Sequence, residues 1–352
     1  MRVGVDSTKY PGAGAHDAAW LLDEVAREGL DGVFFRSVRE LSPTLDEGEM
    51  RDVAARARAL GLRIEAGIGK VNPFSTPEAP EIRALGGGDY RRAMERMIEA
   101  AAEAGIHELW TALCNYQFDL AHFGVFAFDR FRTDVAWEDQ LDATVAFLRL
   151  LAPALRAHGS HLNVETHEEI TTFELLRIVE AVGPDVIGIT FDPANVVVRG
   201  EEPVAAARRV APHVRATHIR DVALVATADG FARFLMPVGE GVIDWPALLG
   251  ALGAGPDGAE RMLSIEGILR GRAEMAIPHR DPRWMAGHPD LVPTELDELL
   301  RLERAYAAQV TAGRAPDAVR LRQPAAAGEP IDFIRRSAAA LRRELGALTH
   351  AA

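Results

Sequence analysis

The sequence is poor in cysteine, in lysine and in long apolar runs, and each shortage has a consequence. Its single cysteine, Cys114, cannot form a disulfide within the chain, which fits a protein of the reducing cytoplasm. No apolar run reaches the roughly 18 residues that a membrane-spanning helix needs, so we expect no membrane partner. The N-terminal MRVGVDSTKY enters strand-like sequence directly, and a secretory leader is therefore not expected.

The excess of acidic residues argues against nucleic acid as a partner. The net charge is −13, whereas binding to a phosphate backbone depends on many Lys and Arg side chains. Of the 39 basic residues, only Lys9 and Lys70 are lysine. Arginine cannot replace a compact, titratable ammonium group, so we single out Lys70, in GIGKVNPF, as a candidate acid/base residue. Two surface lysines without a function are the alternative.

The chain alternates short apolar runs with amphipathic stretches, the pattern of a (β/α)8 TIM barrel. A doubly wound open sheet is the rival fold, but no glycine-rich phosphate loop follows the first strand. We predict a barrel over residues 1–293 and a C-terminal helical extension over 294–352, which packs on the barrel or in an oligomer interface. The predicted strands are Val3–Asp6, Gly32–Arg36, Arg63–Gly67, Glu108–Leu113, His161–Thr166, Val186–Phe191, Arg215–Ile219 and Leu263–Glu266.

Three long connections follow predicted strands and therefore lie on one face of the barrel. They are Lys70–Gly88, Asn115–Thr133 and Gly267–Pro293. Long ordered loops in compact domains usually serve as lids or binding loops. The second loop is rich in aromatic residues, and we expect Tyr116 and Phe118 to form an apolar wall against a substrate. A subunit interface is the alternative, and we expect a homo-oligomer, with a small partner subunit as a further option.

Four predicted strands in the second half of the chain each end at a potential metal ligand. The segments HLNVETH, IGITFDPAN, VRATHIRD and MLSIEG supply Glu165, Asp192, His218 and Glu266. The carboxyl ends of parallel barrel strands converge on one face, so these four side chains can meet around one ion. Three carboxylates and one imidazole favour Mn²⁺, Co²⁺ or Mg²⁺ over a structural zinc.

The motifs VETH, FDPAN, THIRD and SIEG, together with GEGVIDW at residues 239–245, resemble those of the xylose-isomerase-like TIM barrels, the sugar phosphate isomerase/epimerase family. The resemblance covers roughly residues 1–270. It implies one divalent ion, Mn²⁺ first, held by Glu165, Asp192, His218 and Glu266. It also implies isomerisation or epimerisation of a ketose or keto-sugar through an enediolate, with Glu165 and Glu266 moving the proton on opposite sides of the substrate.

Other residues near these motifs are candidates for support or substrate binding. His167 and Lys70 are candidate acid/base groups, and Asn195, Asp221 and His279 are candidate substrate contacts. The family's epimerases tend to carry His at the position of Asn195 and Arg at that of Leu224. THIRD instead resembles the His-x-Lys-Asp of inosose dehydratases, so a lyase that eliminates a group β to a ketone is the second hypothesis. A non-catalytic sugar-binding barrel is the third.

Overall fold

The computed structural model describes residues 1–74, 79–114, 129–131, 134–255 and 258–351. Eight parallel strands close into a barrel, and three further strands form a small antiparallel sheet. The strands are β1 (Arg2–Asp6), β2 (Gly32–Phe35), β3 (Arg63–Gly67), β4 (Glu108–Thr111), β5 (His161–Glu165), β6 (Ile187–Phe191), β7 (Val214–Ile219), β8 (Asp221–Thr227), β9 (Gly230–Met236), β10 (Met262–Ile265) and β11 (Met275–Ile277). The order around the barrel is β1-β10-β7-β6-β5-β4-β3-β2.

Helices follow the barrel strands and cover the outside of the barrel. Several begin at an aspartate whose carboxylate accepts a backbone N–H, as Asp17 does from Trp20 at 2.8 Å. The helices are α1 (Ala18–Arg27), α2 (Glu47–Ala59), α3 (Pro80–Leu85), α4 (Tyr90–Glu103), α5 (Trp137–Ala157), α6 (Thr172–Val182), α7 (Pro193–Val196), α8 (Pro203–Val210), α9 (Trp245–Gly253), α10 (Pro282–Ala286), α11 (Pro293–Thr311), α12 (Ala318–Leu321) and α13 (Glu329–Ala351). Among the described helices, none has the length and apolar character needed to cross a membrane.

The (β/α)8 barrel predicted from the sequence is confirmed. Each of the eight predicted strands corresponds to one barrel strand, with ends that differ by no more than two residues. Strand β4, for example, ends at Thr111 rather than at Leu113. The predicted C-terminal helical extension is also present, as α11, α12 and α13.

The small sheet β11-β9-β8 was not predicted from the sequence. Strands β8 and β9 form a hairpin that begins two residues after β7, and β11 adds to it antiparallel. The long connection Gly267–Pro293 therefore contains β11 and α10 rather than an irregular loop. The dipeptide Asp229-Gly230 between two apolar runs is an ordinary hairpin signal. Strand β9 is buried along its whole length and β8 along its first four residues, so the alternation that marks a half-exposed hairpin is missing.

The C-terminal extension packs on the barrel through buried apolar side chains. Tyr306 of α11 lies against the β8–β9 hairpin, and Phe333, Ile334 and Leu341 of α13 join the main core. The Ser337 hydroxyl accepts a hydrogen bond of 3.1 Å from the backbone N–H of Val238. Helix α13 is thus tied to the turn that follows β9.

Candidate metal centre

The four predicted ligands meet at the carboxyl ends of four neighbouring barrel strands. Glu165 is the last residue of β5, Asp192 follows β6, His218 lies in β7 and Glu266 follows β10. All four are buried, and each offers one ligand atom within 4.8 Å of the others. His218 presents Nδ1, which lies 3.0 Å from Glu165 Oε1 and 3.6 Å from Glu266 Oε2. The structure thus brings the four predicted residues together in one cluster.

The charges of this cluster fit a bound cation. Three carboxylates packed together in a buried site repel one another and favour a positive charge between them. Burial, strengthened by Glu266 and Glu165, raises the pKa of Asp192 to about 6, although Arg220 opposes the rise. Burial acts in the same direction on Glu165, but the neighbouring His218 outweighs it and holds the pKa of Glu165 well below its usual range. Three carboxylate oxygens and one imidazole nitrogen form a donor set for a hard or borderline divalent ion.

Arg220 and Asn195 form hydrogen bonds with three of the predicted ligands or lie close to them. Arg220 donates to Asp192 Oδ2 through Nε at 2.9 Å and through Nη2 at 2.6 Å, and Nη2 also lies 3.1 Å from Glu266 Oε2. The same Nη2 donates to Asn195 Oδ1, and Asn195 Nδ2 donates to Glu165 Oε1 at 3.3 Å. Asn195, predicted as a substrate contact, therefore connects two ligands instead, and it is fully buried. Such outer partners fix the orientation of ligating carboxylates.

Trp110 and Arg36 donate hydrogen bonds to Glu165 and Glu266, respectively. The Trp110 indole N–H donates to Glu165 Oε2 at 3.0 Å. Arg36 donates to Glu266 Oε1 at 3.0 Å and to Asp6 Oδ2 at 2.6 Å. Burial raises the pKa of Glu266, but Arg220, Arg36 and Lys9 outweigh it and keep this pKa well below its usual range.

Gly67 makes room for the Trp110 indole. A Cβ at this position would lie 2.2 Å from the Arg36 carbonyl oxygen and 2.7 Å from Trp110 Cε3. Any side chain would displace either the β2 backbone or the indole ring. A residue without a side chain is therefore required where β3 ends.

A cavity of about 520 Å³ opens above the cluster, and Glu165 and Glu266 form part of its wall. The two lysines of the chain, Lys9 and Lys70, also line it. Lys9 Nζ lies 3.7 Å from Glu266 Oε1, and Lys70 Nζ lies 4.6 Å from the centre of the Trp110 ring. Removal from water lowers the pKa of Lys70. The position predicted for Lys70, on the face of the metal ligands, is the position that the structure shows.

His167 lines the same cavity and is held between two buried glutamates. Its Nε2 lies 3.2 Å from Glu168 Oε2, and its Nδ1 contacts Glu169. Burial lowers the pKa of this imidazole, but Glu169 and Glu168 outweigh burial and raise the pKa to about 9. The ring is therefore protonated at neutral pH, which makes His167 a proton donor or a fixed positive charge rather than a base.

The remaining predicted substrate contacts lie elsewhere. Both carboxylate oxygens of Asp221 accept hydrogen bonds within the GEGVIDW turn, including those from Gly239 N at 2.9 Å and Trp245 Nε1 at 2.7 Å. His279 packs near Gly230 and Phe231, at the far end of the β8–β9 hairpin. Neither residue lines the cavity. Tyr116 and Phe118 lie outside the described residues.

Two arginines of the site were not proposed from the sequence. Arg36 directly follows β2 in GVFFRS, and Arg220 is the second residue from the end of VRATHIRD. Each is a cation at the carboxyl end of a barrel strand, which is the one signal that the sequence offers for it. Their partners lie far away in the chain: Glu266 is 230 residues from Arg36.

Comparison with known proteins agrees with this geometry. A family model described as "Xylose isomerase-like TIM barrel" matches residues 22–288. A 110-residue segment is 32% identical to the 3-oxo-isoapionate decarboxylase of Pectobacterium atrosepticum and covers 30% of this chain. That match spans 40% of the decarboxylase, well under half of its length.

Two solved structures share the fold at low sequence identity. The D-psicose 3-epimerase of Clostridium cellulolyticum H10, solved with D-tagatose, superposes with a TM-score of 0.58 at 15% identity, covering 90% of this chain and all of that chain. The IolI protein, solved with a bound zinc atom, gives a TM-score of 0.53 at 14% identity over 90% of this chain and all of its own. At these identities the likeness concerns the fold.

Proposed function

The chain belongs to the xylose isomerase-like TIM barrel family, and from that premise we propose that it is a divalent-metal-dependent isomerase or epimerase of a ketose or keto-sugar derivative. One observation carries the proposal: Glu165, Asp192, His218 and Glu266 converge within 4.8 Å beside a cavity at the carboxyl end of the barrel. This is the face at which TIM-barrel enzymes hold their active sites. The names of the epimerases that share the fold support the same reaction class.

The ion would be held by these four residues, with Mn²⁺ as the first candidate. When bound, it supplies a Lewis acid that polarises a substrate carbonyl and its neighbouring hydroxyl oxygen. Glu165 and Glu266 both reach the cavity, so each can present an oxygen to the carbon beside the carbonyl. One glutamate, as the carboxylate, accepts the proton from that carbon. The other, after taking up a proton from solvent, returns it to the opposite face, which inverts the stereocentre, and the first then releases its proton to solvent.

The surrounding residues orient both glutamates and favour the ionised form that the proton acceptor needs. Trp110 orients Glu165 and Arg36 orients Glu266. The neighbouring His218 lowers the pKa of Glu165, and Arg220, Arg36 and Lys9 lower that of Glu266. An ionised carboxylate can both hold a cation and accept a proton. Lys70 and His167, on the same cavity wall, can donate protons to substrate oxygens as charge develops there.

The reaction can be tested by hydrogen exchange. Mn²⁺-loaded protein is incubated in D₂O with D-fructose, D-tagatose, D-psicose and a 3-keto-glucoside, and the sugars are followed by NMR. We expect metal-dependent incorporation of deuterium beside the carbonyl and formation of a second stereoisomer. Glu165→Gln and Glu266→Gln should each slow exchange by at least about 100-fold, in the range that loss of a positioned acid or base causes. Glu47→Gln, on the exposed surface of α2, is the control.

No exchange from any of these sugars by the metal-loaded wild-type protein would contradict the proposal. Exchange that persists in both glutamine variants would show that other residues move the proton. Metal content is measured on every sample, so a loss of activity caused by loss of the ion is recognised.

A lyase is the second candidate, and His167 is the observation that favours it. The two flanking glutamates hold this imidazole in its protonated form beside the cavity, where it can protonate a leaving group on the β-carbon. The decarboxylase that matches part of the chain is named for another bond cleavage beside a ketone. Release of water or of an aglycone, measured with a 3-keto-glycoside, distinguishes elimination from a change of stereochemistry alone.

A further inference from the structure

One wall of the cavity beside the metal ligands carries cations that follow the first three strands. Lys9 lies three residues after β1, Arg36 directly follows β2, and Lys70 lies three residues after β3. All three line the cavity. The metal ligands come from β5, β6, β7 and β10, on the other half of the barrel. A substrate that fills the cavity contacts both halves.

Two of these cations share one aromatic ring. The Arg36 guanidinium carbon lies 4.8 Å from the centre of the Trp110 ring, and Lys70 Nζ lies 4.6 Å from the same centre. Cation–π contacts place each charge favourably, but they also hold two like charges close together. An anionic group between them would remove this repulsion.

The choice of lysine strengthens this interpretation. The chain uses lysine at only two of its 39 basic positions, and both line this cavity. Elsewhere arginine serves for surface charge and for buried ion pairs. A general need for positive charge would be met by arginine. Lysine at these two positions is better explained by recognition of a small anionic group in a confined space, which suits a compact ammonium.

The carboxylates that compensate Lys9 and Arg36 include Glu266, which is also a predicted metal ligand. Lys9 lies 3.7 Å from Glu266 Oε1, and Arg36 contacts both that oxygen and Asp6. A bound cation would draw on the negative charge of Glu266, so Lys9 would lose part of its counter-charge when the ion binds. Arg36 would keep Asp6. The wall is then left with uncompensated positive charge at Lys9, while the negative charges of Glu169 and Glu165 act on Lys70.

Resting on the proposed function, we propose that the substrate is a keto-sugar acid whose carboxylate binds to the wall formed by Lys9, Arg36 and Lys70 while its carbonyl end faces the metal ligands. A monoanion is favoured over a phosphate dianion because Asp6 already compensates Arg36. The planar fork of Arg36 also matches the geometry of a carboxylate.

Three sugars that differ only at carbon 6 test this. D-Fructose ends in a hydroxymethyl group, D-fructuronate in a carboxylate and D-fructose 6-phosphate in a phosphate. Binding to the Mn²⁺-loaded protein is measured by calorimetry. We expect D-fructuronate to bind at least about tenfold more tightly than D-fructose, an advantage that weakens as salt screens the charges. Lys9→Gln and Lys70→Gln should reduce it to less than about threefold, whereas Lys70→Arg should retain part of it.

Arg51→Gln is the matched control, because it removes one positive charge from the exposed face of α2. The inference is overturned if D-fructuronate does not bind, if it binds no better than D-fructose, or if its advantage survives both glutamine variants. Tighter binding of D-fructose 6-phosphate than of D-fructuronate overturns the choice of a carboxylate. Metal content and deuterium exchange in the same samples separate these outcomes from failure of the proposed function, in which the ion or the exchange is itself absent.

Discussion

The indole nitrogen of Trp110 donates a hydrogen bond of 3.0 Å to Glu165 Oε2, the oxygen that His218 and Asn195 do not contact. Glu165 therefore has partners on both oxygens, and its carboxylate is fixed in orientation. The same ring makes cation–π contacts with Arg36 and Lys70. Trp110 is thus a positioning residue that links the metal ligands to the cationic wall.

Trp110→Phe should weaken metal binding while it keeps an aromatic ring in place. Loss of the N–H frees one oxygen of Glu165, and outer-partner substitutions of this kind cost about 10- to 100-fold in metal affinity. Competition with a chelating dye for Mn²⁺ measures the change. Trp137→Phe is the control, since its indole N–H donates to Glu174, which is not one of the four ligands. Equal Mn²⁺ affinities for Trp110→Phe and the wild-type protein would contradict this role.

Substitution of any of the four predicted ligands should lower the amount of metal that the protein binds, whereas substitution of another acidic residue should not. Glu165→Gln, Asp192→Asn, His218→Ala and Glu266→Gln should each lower the amount of Mn²⁺ that copurifies or binds on titration. In the wild-type protein, Mn²⁺ at 100 times its Kd should add about 2.7 kcal/mol to the free energy of unfolding. Most of this gain should vanish in the variants but remain in Asp185→Asn, which removes an exposed carboxylate. A wild-type protein that gains no stability from any divalent ion would rule out the metal site.

Glu65 should make the stability of the protein depend on pH. Burial raises the pKa of this carboxyl from 4.5 to about 7, and its Oε2 has no hydrogen-bond partner among the described residues. Because the folded-state pKa is the higher one, the stabilising contribution is complete below pH 4.5 and is lost as the pH rises through 7. The full shift corresponds to about 3 kcal/mol.

Glu65→Gln removes this titration and shows whether it exists. At pH 5 the variant and the wild-type protein should differ little, whereas at pH 8.5 the variant should gain about 1–3 kcal/mol relative to the wild-type protein. Urea unfolding at the two pH values measures the difference. A constant difference between the two proteins across this range would show that Glu65 is not the group responsible.

Phe333 should be essential for the attachment of the C-terminal extension. Its side chain is completely buried in the core that α13 shares with the barrel. Phe333→Ala should lower the free energy of unfolding by about 3–5 kcal/mol through lost burial and a residual cavity. Val319→Ala, at a side chain that is 68% exposed, should change it by less than about 0.5 kcal/mol. Similar effects of the two substitutions, measured by chemical unfolding, would contradict the packing described here.

The barrel and the four candidate ligands could be predicted because short, continuous segments of the sequence indicate each of them. Each ligand follows an apolar run of strand length, and the geometry of a parallel barrel supplies the convergence. Residues whose roles depend on distant partners were harder to predict. Asn195 and Asp221 follow ligand-bearing strands, but the folded chain turns the first towards Glu165 and Arg220 and the second into the GEGVIDW turn.

Arg36 and Arg220 were missed for the same reason. The sequence pattern around an arginine at a strand end does not distinguish it from an arginine on the surface. The contacts of Arg36 and Arg220 with Glu266 form only when the barrel closes. The hairpin of β8 and β9 was missed because burial of β9 and of the first half of β8 removes the alternation of polar and apolar residues there. The aromatic residues Tyr116 and Phe118 lie outside the described residues, so their predicted contact with substrate stays a prediction.

The placement of ligands on β5, β6, β7 and β10 and of cations after β1, β2 and β3 has a consequence for divergence within the fold. Under the proposed function, the residues that would hold the ion and the two lysines that would bind the substrate are encoded in different stretches of the gene. Substitutions at Lys9 and Lys70 would change which substrate is bound while the four ligands stay the same, whereas Arg36 is tied to the metal centre through Glu266. Recombination of amino-terminal and carboxy-terminal halves among related barrels offers a route by which one centre acquires new substrates.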